Sequence, residues 1–382
     1  MNSQAEKETI YRKDFQAILE ETRDAWLKDL REKAFAFFTE NGFPTPKDEE
    51  WKYTSVASLV SSQWSVVSSQ KEEISDNAFE LLKQFDFERN GFTALNLAFA
   101  NVVLVVIPKE TSVEKPIEFN FKADENSANF PHIIVVAESG SKATIIENYE
   151  SKAKSFTNSA IQIFVEDSAN LTHYRVQKES TKAFHIGTTE VKLGRGSFYN
   201  STNINLGAKL SRHDIHLKFT AMGGEAFVDG LYLVGDDQHA DTHSVIDHAL
   251  PNCTSHQTYK GIVDGKARAV FNGKVFVREN AHGTDAQQSN KNLLLSNDAR
   301  VDTKPQLEIY NDDVKCAHGA TVGQLEEEEL FYLLSRGLNE SLARNLLTYG
   351  FAEEIVNKIE IESIKKQLDE AVLNRLNANL EA

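Results

Sequence analysis

A chain of 382 residues, 41% hydrophobic and 26% charged, has the length and composition of a globular protein with a large core and more than one structural region. Its formal net charge of -16, with no basic cluster to offset it, excludes a nucleic-acid partner, because phosphate backbones need Lys and Arg to replace their counterions. The opening MNSQAEKET has no apolar signal core, and the longest apolar run, VVLVVI at 102–107, is far short of the ~20 residues that span a bilayer, so a cytoplasmic setting without a membrane partner is expected.

Only two cysteines occur, Cys253 and Cys316, which read as free thiols of a reducing compartment. They are too few for a four-thiolate cluster site within one chain. Metal chemistry would have to recruit histidine, carboxylate or a second subunit.

In chain order, Phe15, Ile18, Leu19, Ala25, Trp26, Leu30, Ala34, Phe37 and Phe38 follow a 3.6-residue stripe that predicts one helix over 10–41, ended by Gly42, Pro44 and Pro46. A shorter helix is expected at 73–85. From about residue 95 the pattern changes to short runs rich in Val, Ile, Phe, Thr and Tyr between Gly, Asn and Asp turns, such as HIIVVA at 132–137, ATIIENY at 143–149, AIQIFVE at 160–166 and FYNSTNINL at 198–206. No helix-length pattern separates them, which excludes a doubly wound α/β sheet.

One internal repeat stands out. AFVDGLYLV at 226–234 resembles AVFNGKVFV at 269–277, with Gly230 and Gly273 aligned about 43 residues apart, near two turns of a solenoid whose repeats run roughly 20–29 residues. After one inserted residue, Asp241, Thr242 and His243 lie against Asp285, Ala286 and Gln287. A β-sandwich can carry such a repeat by chance, but a parallel β-helix explains it better. Helices return after Gly319: Thr321 and Gln324 have capping-box spacing, Leu325, Leu330, Phe331, Leu333 and Leu334 supply an apolar face, and Gly337 is the natural stop. The Glu326 to Glu329 run reads as a solvated helix start. Further helices are expected at 340–349 and 352–380. The fold class is therefore mainly β: an N-terminal helical region at 1–94, a β-solenoid core at 95–319 and a C-terminal helical region at 320–382.

Nucleotide-binding and hydrolase signatures are absent: GIVDGKA at 261–267 has neither the spacing nor the Ser or Thr of a phosphate-binding loop. Seven histidines fall between 213 and 282: His213, His216, His239, His243, His248, His256 and His282. They invite a mononuclear metal enzyme as one rival, built on the stretch 213–256, although His213 and His216, three apart on a strand, face opposite sides. A second rival is a carbohydrate-active β-helix enzyme using Asp236, Asp237, Asp241 and Asp247. Cys316 and His318 are two residues apart after the extended run PQLEIYN, which on a strand sets both on one face, able to converge on a metal. Two donors make half of a tetrahedral site.

Residues 285–338 resemble the signature of the SufB/SufD family in four consecutive features: the Q-x-N-x-N-L-L-L-S run, the acid-x-x-P-x-L-E-I strand, VKCAHGATVG and FYLLSRG. Ala343, Leu346, Leu347, Gly350 and Phe351 also fit, and PKDEEWKYT at 46–54 is similar to the segment that joins the first helices to the core in D-type members. B-type members are longer and richer in cysteine. The resemblance implies a right-handed parallel β-helix with flanking helices. It also implies a non-enzymatic scaffold for iron–sulphur cluster assembly that pairs with a SufB-type subunit and binds a SufC-type ATPase through its C-terminal helices. His318 then contributes to the cluster-forming interface, with Cys316 the lesser candidate. No cofactor is expected to be tightly bound to the isolated chain; iron or a cluster would be held transiently in the complex. An uncovered solenoid end also suggests a homodimer when the B-type subunit is missing.

Overall fold

The computed structural model describes residues 4–67 and 76–375. Among these residues, strands form two wholly parallel sheets of ten and eight strands, and the chain alternates between them as it climbs. One sheet runs through Phe156–Val165, Phe184–Leu193, Leu210–Phe219, His239–His248, Arg268–Val277 and Arg300–Ile309. The other runs through Lys142–Ser151, Asn170–Lys178, Phe198–Asn205, Glu225–Val234, Thr254–Val263, Thr284–Leu294 and Val314–Gly323. This is the β-solenoid expected from the run of short strands.

The strands are apolar on both sides because both faces of each sheet are buried. Inward-facing Ile133, Val135, Ile145, Ile163, Val191, Leu217 and Val275 stack along the axis into one core. On the outer face of the first sheet, Ile134, Phe156, Ala160, Phe184 and Ile186 pack against the N-terminal helices. On the outer face of the second, Ile146, Val176, Ile204, Leu231, Leu233 and Ile262 meet Ala352, Ile355, Ile364, Leu368 and Val372 of the C-terminal helices. The two helical regions are lids over opposite faces.

The repeat has a different meaning from the one expected. Leu210 pairs with His239 and His239 with Arg268, so one full coil takes about 29 residues and a half coil about half that. The offset between Gly230 and Gly273 is therefore one and a half coils, and the two glycines lie in opposite sheets, as do Asp241 and Asp285. They are not one column. What they share is an inward position where a neighbour's side chain fills the missing Cβ space: a Cβ on Gly230 would lie 2.1 Å from the Tyr259 ring.

Other boundaries also shift. The stripe over 10–41 belongs to two helices, Gln4–Glu21 and Ala25–Asn41, folded back so that Phe15 stacks on Phe35 with ring centroids 4.0 Å apart. Thr22 ends the first helix: its hydroxyl donates to Ile18 O at 2.7 Å and accepts from the buried Arg31. Two facing apolar stripes give the same period as one long helix. The expected helix at 73–85 is Asp76–Leu82, with 73–75 outside the described residues. Gly91–Phe99 is a helix wholly buried against the first sheet, capped by Asn90 and Thr93, which runs past the expected boundary at 94. Its all-round apolarity hides the period.

At the other end, Thr321 and Gln324 do not form a capping box. Thr321 pairs with Lys291 inside the last strand, and the helix Glu327–Ser335 begins later at an N-cap, Glu326, without a side-chain bond. Gly337 does close that helix with φ +95°, its N–H bonded to Leu334 O at 3.0 Å. The next helix, Glu340–Val356, continues through Gly350, and Glu362–Arg375 follows; 376–380 lie outside the described residues.

Charge is also buried inside the coils. His173 Nε2 lies 2.7 Å from Glu147 Oε1, and His185 Nδ1 lies 2.7 Å from Glu179 Oε2, with Arg175 between the two pairs. Burial works to raise both carboxyls, but His173 and Arg175 hold Glu147, and His185 holds Glu179, below the ordinary range.

Gly230→Ala is expected to destabilise the protein by about 1–3 kcal/mol through overpacking against Tyr259, read as a lower midpoint in urea unfolding.

Candidate functional site

The strand Val314–Gly323 carries VKCAHG and ends the second sheet. It pairs along one edge with Thr284–Leu294, and among the described residues no strand pairs with its other edge. It is mostly exposed, and a Cβ on Gly319 or Gly323 would meet nothing within 4 Å. In-register pairing sets Cys316 over Ala286 and His318 over Gln288, both inward-facing positions. The i, i+2 spacing therefore places Cys316 and His318 on one side of the strand, as expected. Cys316 is half-buried against the solenoid core, and burial, with Asp285 nearby, pushes its thiol up; His318 is exposed. On the outer face of the sheet, a groove of about 820 Å³ reaches His318 and is also lined by Phe198, Phe227, His256, Gln287 and Lys358.

Among the described residues, no three His, Cys, Asp or Glu side chains converge as a metal site. Cys316 and His318 place a sulfur and an imidazole on one side of the edge strand. Cys253 is buried two strands away, its thiol pushed up by burial and directed to Ala221 O and Pro251 O.

The histidine-rich stretch is divided between faces and sheets, although His239 and His243 meet around Asp241: His239 Nε2 lies 2.9 Å from Thr54 Oγ1, which bonds Asp241, and His243 Nε2 lies 3.0 Å from Asp241 Oδ1. His213 points into the solenoid, 2.8 Å from Thr189 Oγ1, while His216 lies on the outer face, so the two do face opposite sides. Burial lowers His216 to about 3 and His248 to about 4, leaving both neutral near neutrality. His248 bonds Ser255 at 2.7 Å and His256 faces Asp285 at 3.4 Å on the other sheet. Asp241 and Asp247 are committed to Arg212 and Arg278, at 2.8 Å each. Among the described residues the stretch assembles no metal site, and Asp241 and Asp247 are held in separate ion pairs.

Sequence reasoning did not foresee the role of PKDEEWKYT. This segment straps the outer face of the first sheet. Arg212, fully buried, donates to Glu50 O, Asp241 and Asp214 at 2.7–2.9 Å and lies 3.8 Å over the Trp51 ring. Thr54 bonds Asp241 at 2.5 Å, and Glu50 reaches His243 and Lys274. Glu49 faces Lys304 on the outermost strand at 3.4 Å. A buried guanidinium needs planar partners on several sides, and this strap completes them. Burial opposes the charge on His243, but Asp241 and Glu50 hold it up to about 9; hydrogen bonding from His243 in turn holds Glu50 down to about 2.

Exposed apolar side chains gather beyond the last strand. Val322 stands out from that strand, and Phe331, Tyr332 and Leu346 from the helices Glu327–Ser335 and Glu340–Val356, with Phe331 72% exposed and no residue of Glu327–Ser335 buried. No helix among the described residues is long and apolar enough to cross a membrane.

The chain is a parallel β-solenoid with an open edge strand and helical lids on two faces. Residues 119–351 match the SufBD core domain of the SUF system for FeS cluster assembly, and residues 1–85 match the SufBD N-terminal region. The chain is 36% identical over 346 residues to an iron–sulfur cluster assembly SufBD family protein of Synechocystis sp., covering 87% of this chain and 76% of the relative. It is 31% identical over 380 residues to the iron–sulfur cluster assembly protein SufD of Escherichia coli, covering 88% and 90%. A SufBD family protein of Mycobacterium tuberculosis is 30% identical over 288 residues, covering 73% and 72%. The chain belongs to the SufBD family of iron–sulfur cluster assembly proteins, and it is SufD-like.

Arg212→Ala is expected to cost about 3–5 kcal/mol, because Asp214 and Asp241 are left buried without their cation; thermal unfolding reads it. The His243 contribution has a sign. Its charge is favoured by folding, so the contribution is full below about pH 6.5 and is lost as pH rises through about 9. Unfolding midpoints of the native chain and His243→Gln, compared across that window, should converge on the alkaline side. A constant gap would contradict the pairing.

Proposed function

We propose that this chain is a non-enzymatic scaffold subunit for iron–sulphur cluster assembly, completed by a SufB-type subunit at the end of its solenoid. The observation that carries the reading is a two-donor pair, Cys316 and His318, on an edge strand whose free side faces solvent. A strand edge of this kind favours pairing with another chain. The partner would supply the remaining donors, and incomplete ligation by each subunit would let the cargo leave.

In this reading iron, or a nascent cluster, is cargo and not a resident cofactor. His318 is the principal donor from this chain. Cys316 is secondary, because its raised thiol pKa disfavours the thiolate that binds metal. A SufC-type ATPase docks on the C-terminal helices, where Phe331, Tyr332 and Leu346 form the exposed apolar set. The same helices cover the second sheet with Ile355, Ile364 and Leu368, so docking and packing use different faces. The setting is cytoplasmic, and without its partner the chain forms a homodimer through the uncovered coil.

His318→Ala should leave assembly with the partner and the ATPase intact while iron–sulphur cluster formation falls, monitored by visible absorption during anaerobic reconstitution. Normal cluster yield would remove His318 from the site. Phe331→Ser combined with Leu346→Ser should release the ATPase in a pull-down without lowering the thermal midpoint of this chain, since both side chains are exposed.

A further inference from the structure

Among the buried side-chain oxygens of the last coils that have no partner, Gln288 Oε1 has a specific place. Gln288 is 3% exposed and is the direct cross-strand partner of His318. Its Nε2 donates to Gln257 Oε1 at 2.7 Å, and Gln257 exchanges hydrogen bonds with Ser244 Oγ at 2.9 and 3.1 Å. This amide ladder crosses the interior from one sheet to the other and rises toward the open end. It stops at Gln288 Oε1, which is buried and has no partner. A buried acceptor left without a donor costs about 1–3 kcal/mol, so its retention needs a reason.

The space for this amide is built in. A Cβ on Gly273, in the opposite sheet, would lie 2.2 Å from Gln288 Nε2. Glycine there lets the Gln288 side chain span the coil, and backbone on the far side fixes where the amide sits. The neighbouring inward amide, Asn290, is already bonded to Tyr232 OH and Tyr259 O. On the strand above, His318 is flanked on its own side by Cys316 and Ala320, neither of which brings an oxygen acceptor. The unused Oε1 therefore lies in the same lane as His318, one strand away.

We propose that Gln288 is the positioning residue of His318: its Oε1 accepts one imidazole N–H and leaves the other ring nitrogen, with its lone pair, directed at the cargo iron. An imidazole that binds metal through one nitrogen is ordinarily oriented by an acceptor on the other. The inference rests on the reading of His318 as an iron donor. It adds the element that selects the tautomer, and it explains both the orphaned oxygen and the glycine opposite.

The test uses the full chain labelled with 15N-histidine, at about pH 8 where an ordinary imidazole is neutral. Two-bond 1H–15N correlations give the tautomer of each ring, and His318→Ala assigns the signal. The native chain should show His318 as one tautomer, Gln288→Met should average its two nitrogens, and Gln288→Glu, which keeps an acceptor, should restore one tautomer. An identical His318 pattern in the native chain and Gln288→Met overturns the inference. So does averaging in Gln288→Glu, which decides the matter if Gln288→Met fails to fold.

In the complex with the SufB-type subunit and the ATPase, Gln288→Met should weaken iron binding about 10- to 100-fold. Native binding by Gln288→Met beside a defective His318→Ala rejects Gln288 and keeps the reading of His318. Native binding by His318→Ala rejects that reading itself.

Discussion

In a parallel solenoid every strand takes its backbone partners from the coil below and the coil above, never from its neighbour in sequence. That constraint organises this chain. Phe156, Phe184 and Leu210 succeed one another in register, and so do Thr254, Asp285 and Lys315 on the other sheet. Stacking satisfies the interior ladders but, among the described residues, leaves Arg300–Ile309 and Val314–Gly323 with no strand above them. It also leaves two outer faces carrying apolar residues, which the helices before and after the coils must cover. The lids and the open end are consequences of one hydrogen-bonding pattern.

The open end would be the weakest part of such a stack, and two devices hold it. Outside, the strap at 49–54 ties the last coils of the first sheet to the N-terminal helices through Arg212, Asp241, His243, Lys274 and Lys304. Inside, Gln257, Gln288, Asn290 and Asn292 form amide bonds in the lanes that hold His173, Arg175 and Gln177 in an earlier coil. An amide ladder fixes register, because each side chain must meet its donor or acceptor at one height. Val314–Gly323 thus stays an ordered strand although most of it is exposed.

An ordered but unpaired edge suits a site shared between chains. A closed metal site would require three or four donors from one chain, and none is assembled among the described residues. Under the proposed function, two donors on this edge would hold cargo only while a second chain is present. The family to which the chain belongs acts in cluster assembly, where cargo has to be released.

Local chemistry settled much of this from the residues alone. The β-rich middle, the helical ends, the Gly337 stop and the shared face of Cys316 and His318 all follow from periods and turn residues that act within a few positions. The signature around VKCAHG carried the family. Contacts between distant residues decided the rest. The stripe over 10–41 could not reveal that it folds back on itself, because Phe15 meets Phe35 only in three dimensions. The likeness between Gly230 and Gly273 marked a shared packing role in opposite sheets, since the coil length is set by register and not by sequence similarity. Nothing near Arg212 in the sequence announces Trp51 or Asp241, and nothing near His318 announces Gln288. Short-range patterns name the elements; which side chain stands one coil beneath another is a property of the stack.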